Sequence, residues 1–281
     1  MKKHKKKTLI YFILSIIIFL SVSYIIDYLS LKHEIKEETN LLNTIKIDST
    51  EISEVQNNNT TITSETSNQN NNEIITNETT NQNNIPIKTE KMLKVKSLQE
   101  QNPDIVGWLE ISGTSINYPV LQGTDNEYYM AHNYKKEKSK NGSIFLSKDY
   151  NWEIPSSNLL IYGHNMLNGT MFEELLKYSD KSFYIEHPII KFTTSSEDME
   201  FEIISILQTR VFYKSEKNVF RYYNFVNAEN EYEYNEFIQN AKKESLYDIP
   251  TTAKYGDQLI TLSTCSYHVQ DGRFAVIGRK K

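Results

Sequence analysis

The chain has 281 residues and a formal net charge of −5, with five lysines packed into its first seven positions, so that the remainder nets −10. Basic charge is therefore confined to the N-terminal tip, which gives a nucleic-acid partner no electrostatic footing elsewhere and excludes that class of function. The single cysteine, Cys265, excludes a fold stapled by internal disulfides.

Residues 1–7 read as a cytoplasmic tip and residues 8–29 as a transmembrane anchor. Leu9 to Ile26 is apolar apart from three serines and two tyrosines, and Asp27 closes it. A run of about 18 to 20 such residues spans a hydrocarbon core as a helix. Lysines before it place the N-terminus in the cytoplasm and the rest outside by the positive-inside rule. A cleaved signal peptide is the rival reading. Its apolar core would be shorter, about 7 to 15 residues, and Ser-Tyr-Ile-Ile-Asp-Tyr-Leu is a poor cleavage site.

Residues 30–87 are rich in Asn, Thr, Glu and Ser and carry no sustained helical or strand period. Such a segment buries too little apolar surface to offset its ordering entropy and reads as a disordered, solvated tether. As a coil of roughly 60 residues it would reach on the order of 45 Å.

Ordered sequence resumes at residue 88 and continues to residue 281. Met92, Leu93, Val95 and Leu98 predict a short amphipathic helix that ends before Pro103. Ile105–Ile111 and Ser115–Leu121, joined by Ser112-Gly113-Thr114, predict a hairpin. Further strands are predicted at 142–146, 158–162, 189–193, 199–209, 258–265 and 273–277. Thr170 and Glu173 are spaced as a capping box for a helix over Met171–Tyr178. Tyr234, Phe237, Ile238 and Ala241 fall at helical spacing, with acids before them and Lys242 and Lys243 after, the order a helix dipole favours. Many short strands with few helices predict a mainly β fold, a closed barrel with helical insertions.

Cys265 ends the predicted strand that starts at Gln258. Period two places Thr261, Ser263 and Cys265 on one face and Ile260, Leu262 and Thr264 on the other. A lone thiol in an exported chain is either a buried small hydrophobe or a reactive group. Asp271-Gly272 is a turn pair, so an antiparallel return strand would begin with Arg273 beside Cys265. A guanidinium there would favour the thiolate and could donate to a developing oxyanion; an exposed arginine on an edge strand fits the spacing as well. A cysteine nucleophile needs a proton partner, most often histidine. Of six histidines, His4 and His33 flank the membrane segment, and His132, His187 and His268 sit in polar or proline-flanked surroundings that read as surface. His164 follows the apolar run Leu159-Leu-Ile-Tyr-Gly in a connecting loop, a common place for a catalytic group and also for a structural histidine.

Thr261-Leu-Ser-Thr-Cys265 with Arg273, and Tyr162-Gly-His164 upstream, resemble the catalytic signature of the sortases, cysteine transpeptidases of Gram-positive bacteria. Asp104-Ile-Val-Gly-Trp-Leu-Glu-Ile-Ser-Gly-Thr114, Asn117-Tyr-Pro-Val120, Asp125-Asn-Glu-Tyr-Tyr129 and Gly142-Ser-Ile-Phe145 are similar to the early strands of class B sortases, and the likeness covers residues 88–281. The resemblance implies an eight-stranded sortase barrel with an N-terminal helix and a helical insertion before the cysteine strand. It implies Cys265 as nucleophile, His164 as general acid and Arg273 as the group that binds substrate and stabilises the oxyanion, with Ser263 and Asn133 as substrate contacts. It implies no cofactor, and no cluster in the sequence has metal-ligand spacing.

The implied reaction cleaves a C-terminal sorting signal after threonine in an exported protein and passes the thioacyl group to an amine. The acceptor in the family is a peptidoglycan precursor or cross-bridge, or a pilin lysine in some members. A secreted cysteine hydrolase, with water as acceptor, and a non-enzymatic surface module on a stalk are the competing readings.

Overall fold

The computed structural model describes residues 2–44 and 89–281. Helix α1 spans Lys2–Thr44. Within it, the 20 residues Tyr11–Ser30 are long and apolar enough to cross a membrane, and none of that stretch is buried against protein. At about 1.5 Å per residue the run matches a hydrocarbon core of about 30 Å. The helix continues past residue 30, through the first part of the segment read as tether. Leu, Lys and Glu are favourable there, and helix propensity needs no apolar stripe to act. Residues 45–87 of the expected tether lie outside the described residues.

Helix α2, Glu90–Gln101, is capped by Thr89, whose side chain accepts from the Met92 amide at 3.2 Å. Eight strands then close the barrel: β1 Ile105–Glu110, β2 Asn117–Leu121, β3 Ile144–Leu146, β4 Asn158–Tyr162, β7 Ile189–Thr193, β8 Asp198–Arg210, β9 Leu259–Cys265 and β10 Gly272–Lys280. Their order around the barrel is β1-β2-β3-β4-β9-β10-β8-β7, with β7 pairing back onto β1. Contacts β2–β3 and β4–β9 are parallel and the others antiparallel. All eight predicted strands exist. The one expected to start at Gly142 starts two residues later at Ile144, because Gly142 has φ +58° and belongs to the preceding turn.

Alternation sorts the side chains. Leu159, Ile161, Ile260, Leu262, Phe274 and Val276 fill the barrel interior. On the outside, helix α4, Glu231–Lys243, lays Tyr234, Phe237, Ile238 and Ala241 over Ala275 and Ile277. Burying each large apolar side chain contributes about 1.5–3 kcal/mol. The Asn230 cap accepts from the Glu233 amide, and at the far end the Lys242 ammonium donates to the carbonyls of Ile204, Ile249 and Thr251. A third cluster forms where Val95 and Leu98 of α2 meet Trp108, Tyr129 and Phe145.

The expected helix at Met171–Tyr178 is different. Thr170 and Met171 form a short strand, β6, paired with β5, Asn165–Met166. A 3₁₀ helix follows over Glu173–Ser179 with no side-chain cap. The Thr170 hydroxyl donates to Asn168 Oδ1 at 2.6 Å, so this local bond wins over the capping box. Asp180 then caps the short helix α3, Lys181–Glu186, by accepting from the Ser182 amide.

Candidate active site

Strands β4, β9 and β10 lie side by side and bring the three predicted reactive residues to one end of the barrel. The parallel register sets Tyr162 opposite Ser263, so the chain leaving β4 runs as Gly163-His164 past the end of β9. The antiparallel register pairs Arg273 with Cys265. Opposed residues of such a pair share a face, with Cβ atoms about 4.5–5.5 Å apart.

Hydrogen bonds clamp the histidine-bearing segment to the cysteine-bearing strand. Gly163 donates its amide to the Ser263 carbonyl at 3.2 Å and accepts the Thr264 hydroxyl at 2.8 Å. The Asn165 side chain donates to the Cys265 carbonyl at 2.9 Å. Gly163 is required for this fit: a Cβ there would lie 2.5 Å from Ile144 Cδ1 and 2.7 Å from Phe172 Cδ2.

Cys265, His164, Arg273 and Ser263 line one cleft of about 210 Å³ together with Asn126, Met130, Phe145, Tyr162, Gly163 and Thr264. Cys265 is half-buried and makes no disulfide. The His164 ring is held from one side, with Nε2 2.7 Å from the Met130 carbonyl. Arg273 donates through Nη1 to the Gly272 carbonyl at 2.9 Å, and among the described residues no carboxylate pairs with it. Its charge therefore stays available to the cleft. Burial pushes the Tyr162 phenol up to about 12, Asp149 adding to the rise and Arg273 opposing it, so the ring enters the cleft neutral.

Ser263 is 3% exposed, and its hydroxyl is already engaged with the buried Tyr222 hydroxyl at 2.8 Å. Burial raises the Tyr222 phenol as well. Asn133 is placed elsewhere. Its Oδ1 accepts from the amides of Lys135 and Glu137 and its Nδ2 donates to the Glu137 carboxylate, so the side chain shapes its own loop and does not line the cleft. Three of the remaining histidines have local tasks. His132 stacks on Tyr128 at 4.0 Å and bonds its carbonyl, His187 bonds the Ser112 carbonyl at 2.9 Å, and His268 bonds the Ser266 hydroxyl at 2.9 Å.

Asn126 and Met130 were missed as cleft residues by sequence reasoning. The available signal was Asp125, which accepts from the Glu127 and Tyr128 amides and folds the segment into a turn.

The family described as Sortase domain matches residues 109–281. A curated relative, Sortase B of Listeria monocytogenes, is 37% identical over 190 residues, 66% of this chain and 73% of the relative. Among solved structures, the Staphylococcus aureus sortase B–substrate complex is similar at TM-score 0.60 and 32% identity, covering 67% of this chain and 84% of that one. A sortase B complexed with triglycine is similar at the same TM-score and identity, covering 67% and 85%. With its closed barrel and a cleft shared by Cys265, His164 and Arg273, the chain belongs to the sortase family of cysteine transpeptidases, in its class B.

Proposed function

We propose that this chain is a membrane-anchored sortase that cleaves a C-terminal sorting signal of exported proteins after threonine and joins the new end to a cell-wall peptidoglycan amine. The opening of Cys265, His164 and Arg273 onto one cleft carries this reading. The Cys265 thiolate attacks the threonine carbonyl, and Arg273 stabilises the oxyanion that forms. His164, as imidazolium, protonates the departing amine, and the thioacyl group is then taken by the acceptor amine. Ser263, which lines the cleft, contacts the bound signal. Residues 8–29 anchor the chain, with residues 1–7 in the cytoplasm and the domain over residues 88–281 outside.

A relative solved with substrate and one solved with triglycine support a peptide donor and a glycyl amine acceptor. The apolar run Tyr11–Ser30 supports the anchor.

The test is transfer by the full chain in detergent. A panel of fluorogenic sorting-signal peptides is incubated with and without triglycine, products are identified by mass, and Cys265→Ala and Arg273→Lys are run alongside. Amine-ligated product is expected from the wild type and none from Cys265→Ala. Arg273→Lys keeps the charge but loses the planar fork, and a loss of about tenfold or more is expected. Cleavage that never incorporates an amine would make the chain a hydrolase, and equal inertness of wild type and Cys265→Ala would remove the enzymatic reading.

A further inference from the structure

A carbonyl oxygen only accepts hydrogen bonds. The ring nitrogen 2.7 Å from the Met130 carbonyl must therefore be a donor, which makes the neutral His164 the Nε2–H tautomer. Nδ1 has no hydrogen-bond partner among the described residues, and the ring borders the cleft.

The Met130 carbonyl is itself closely constrained. It ends the 3₁₀ turn Tyr128–Met130. One Asp125 carboxylate oxygen takes the Glu127 and Tyr128 amides at 2.8 and 2.7 Å before that turn, and the Ser143 amide takes the Tyr129 carbonyl at 2.8 Å behind it. Gly142 closes the arrangement. Its φ is +58°, and a Cβ at that position would lie 2.6 Å from both the Met130 and the Tyr129 oxygen. Glycine is demanded twice here, by backbone conformation and by contact with the carbonyl that holds His164.

We propose that the Met130 carbonyl, kept in place by Gly142, is the orienting partner of His164, leaving Nδ1 as the nitrogen that exchanges protons in the cleft. A backbone oxygen thus does what a carboxylate does in many nucleophile–histidine sites, as carbonyls also do for metal-bound imidazoles. The proton-exchange half rests on the proposed function. As the thiolate sulfur bonds the threonine carbonyl carbon and the C–N bond breaks, the departing nitrogen takes the Nδ1 proton and that N–H electron pair returns to the ring. When the acceptor amine attacks the thioester, its proton passes back to Nδ1 and the sulfur leaves as thiolate. Nε2–H stays on Met130 throughout. Gly142 and Met130 are positioning residues in this scheme.

The test is the ¹⁵N NMR signature of His164 in the full chain, labelled at histidine, held in detergent micelles and assigned by difference against His164→Gln. At a pH where the ring is neutral, a protonated Nε2 and a bare Nδ1 are expected. Gly142→Ala should mix the tautomers and lower kcat about tenfold or more while moving KM little, the pattern of a displaced catalytic group rather than lost substrate binding. A wild-type ring protonated on Nδ1 overturns the proposal. So does a folded Gly142→Ala protein with wild-type tautomer and kcat. Should that variant fail to fold, the wild-type spectrum decides alone. The spectrum needs no substrate, so inactivity on every peptide would count against the proposed function and leave the tautomer assignment standing.

Discussion

Asn165 donates its side-chain amide to the main-chain carbonyl of Cys265 at 2.9 Å, which ties the residue after the histidine to the cysteine itself. The two residues are 100 positions apart in sequence. This bond and the two made by Gly163 span the parallel β4–β9 seam, each ending on a main-chain carbonyl, and together they set the spacing between thiol and imidazole.

Asn165→Ala should therefore impair catalysis more than stability. Loss of one hydrogen bond, with the accepting carbonyl left unpaired, costs about 1–3 kcal/mol. A displacement of the reacting groups can lower kcat by up to about 100-fold. Urea denaturation and peptide-transfer kinetics on the same preparation separate the two effects.

Gly163→Ala is expected to be worse on both counts. The added methyl meets Ile144 and the Phe172 ring, neither of which has free space in a packed interior. Overpacking of this kind costs about 1–3 kcal/mol. The melting temperature should fall, and activity measured well below that temperature should fall with it.

Ser263→Ala strands the Tyr222 hydroxyl, which is fully buried and has the serine as its partner. The expected loss is about 1–3 kcal/mol, and adding Tyr222→Phe should recover part of it because both polar groups are then gone. A double-mutant cycle by chemical denaturation reads the coupling. Additive losses would show that the pair contributes nothing beyond its separate members.

Lys94 gives the fold a pH dependence. Burial, with help from Lys91 and against Glu90, lowers its ammonium to about 8, while the unfolded chain holds its proton to the ordinary value of 10.5. Between those limits the unfolded state binds the extra proton, so the contribution of Lys94 to stability rises with pH across that window. Below it, both states are protonated and the native state carries the full desolvation penalty. Comparing wild type with Lys94→Met from about pH 7.5 to 10.5 by denaturant titration should show a gap that narrows as pH rises. A constant gap would contradict this.

The strands were legible from the short apolar run Leu159-Leu-Ile, which stops at Gly163, and from the period-two alternation of Ile260-Thr-Leu, whose apolar face fills the barrel. Helix α4 was legible from its apolar spacing and terminal charges. The Thr170 capping box was misread because a serine or threonine has several local partners, and Asn168 at two residues' distance competes with an amide at three. The surroundings of Ser263 were out of reach, since Tyr222 arrives from 41 residues away. The hold on His164 was also hidden: Met130 acts through its carbonyl, which any residue could supply, so its side chain carries no trace of the role.

The closure of the barrel also bears on how a polypeptide is taken up. Every one of the eight strands has a neighbour on each side, so the barrel has no edge strand. An extended chain that reaches the cleft meets no edge strand of the barrel on which to add itself. Its recognition falls to side chains and loop carbonyls around the cleft, which read individual residues. Selectivity is thereby concentrated in a handful of contacts.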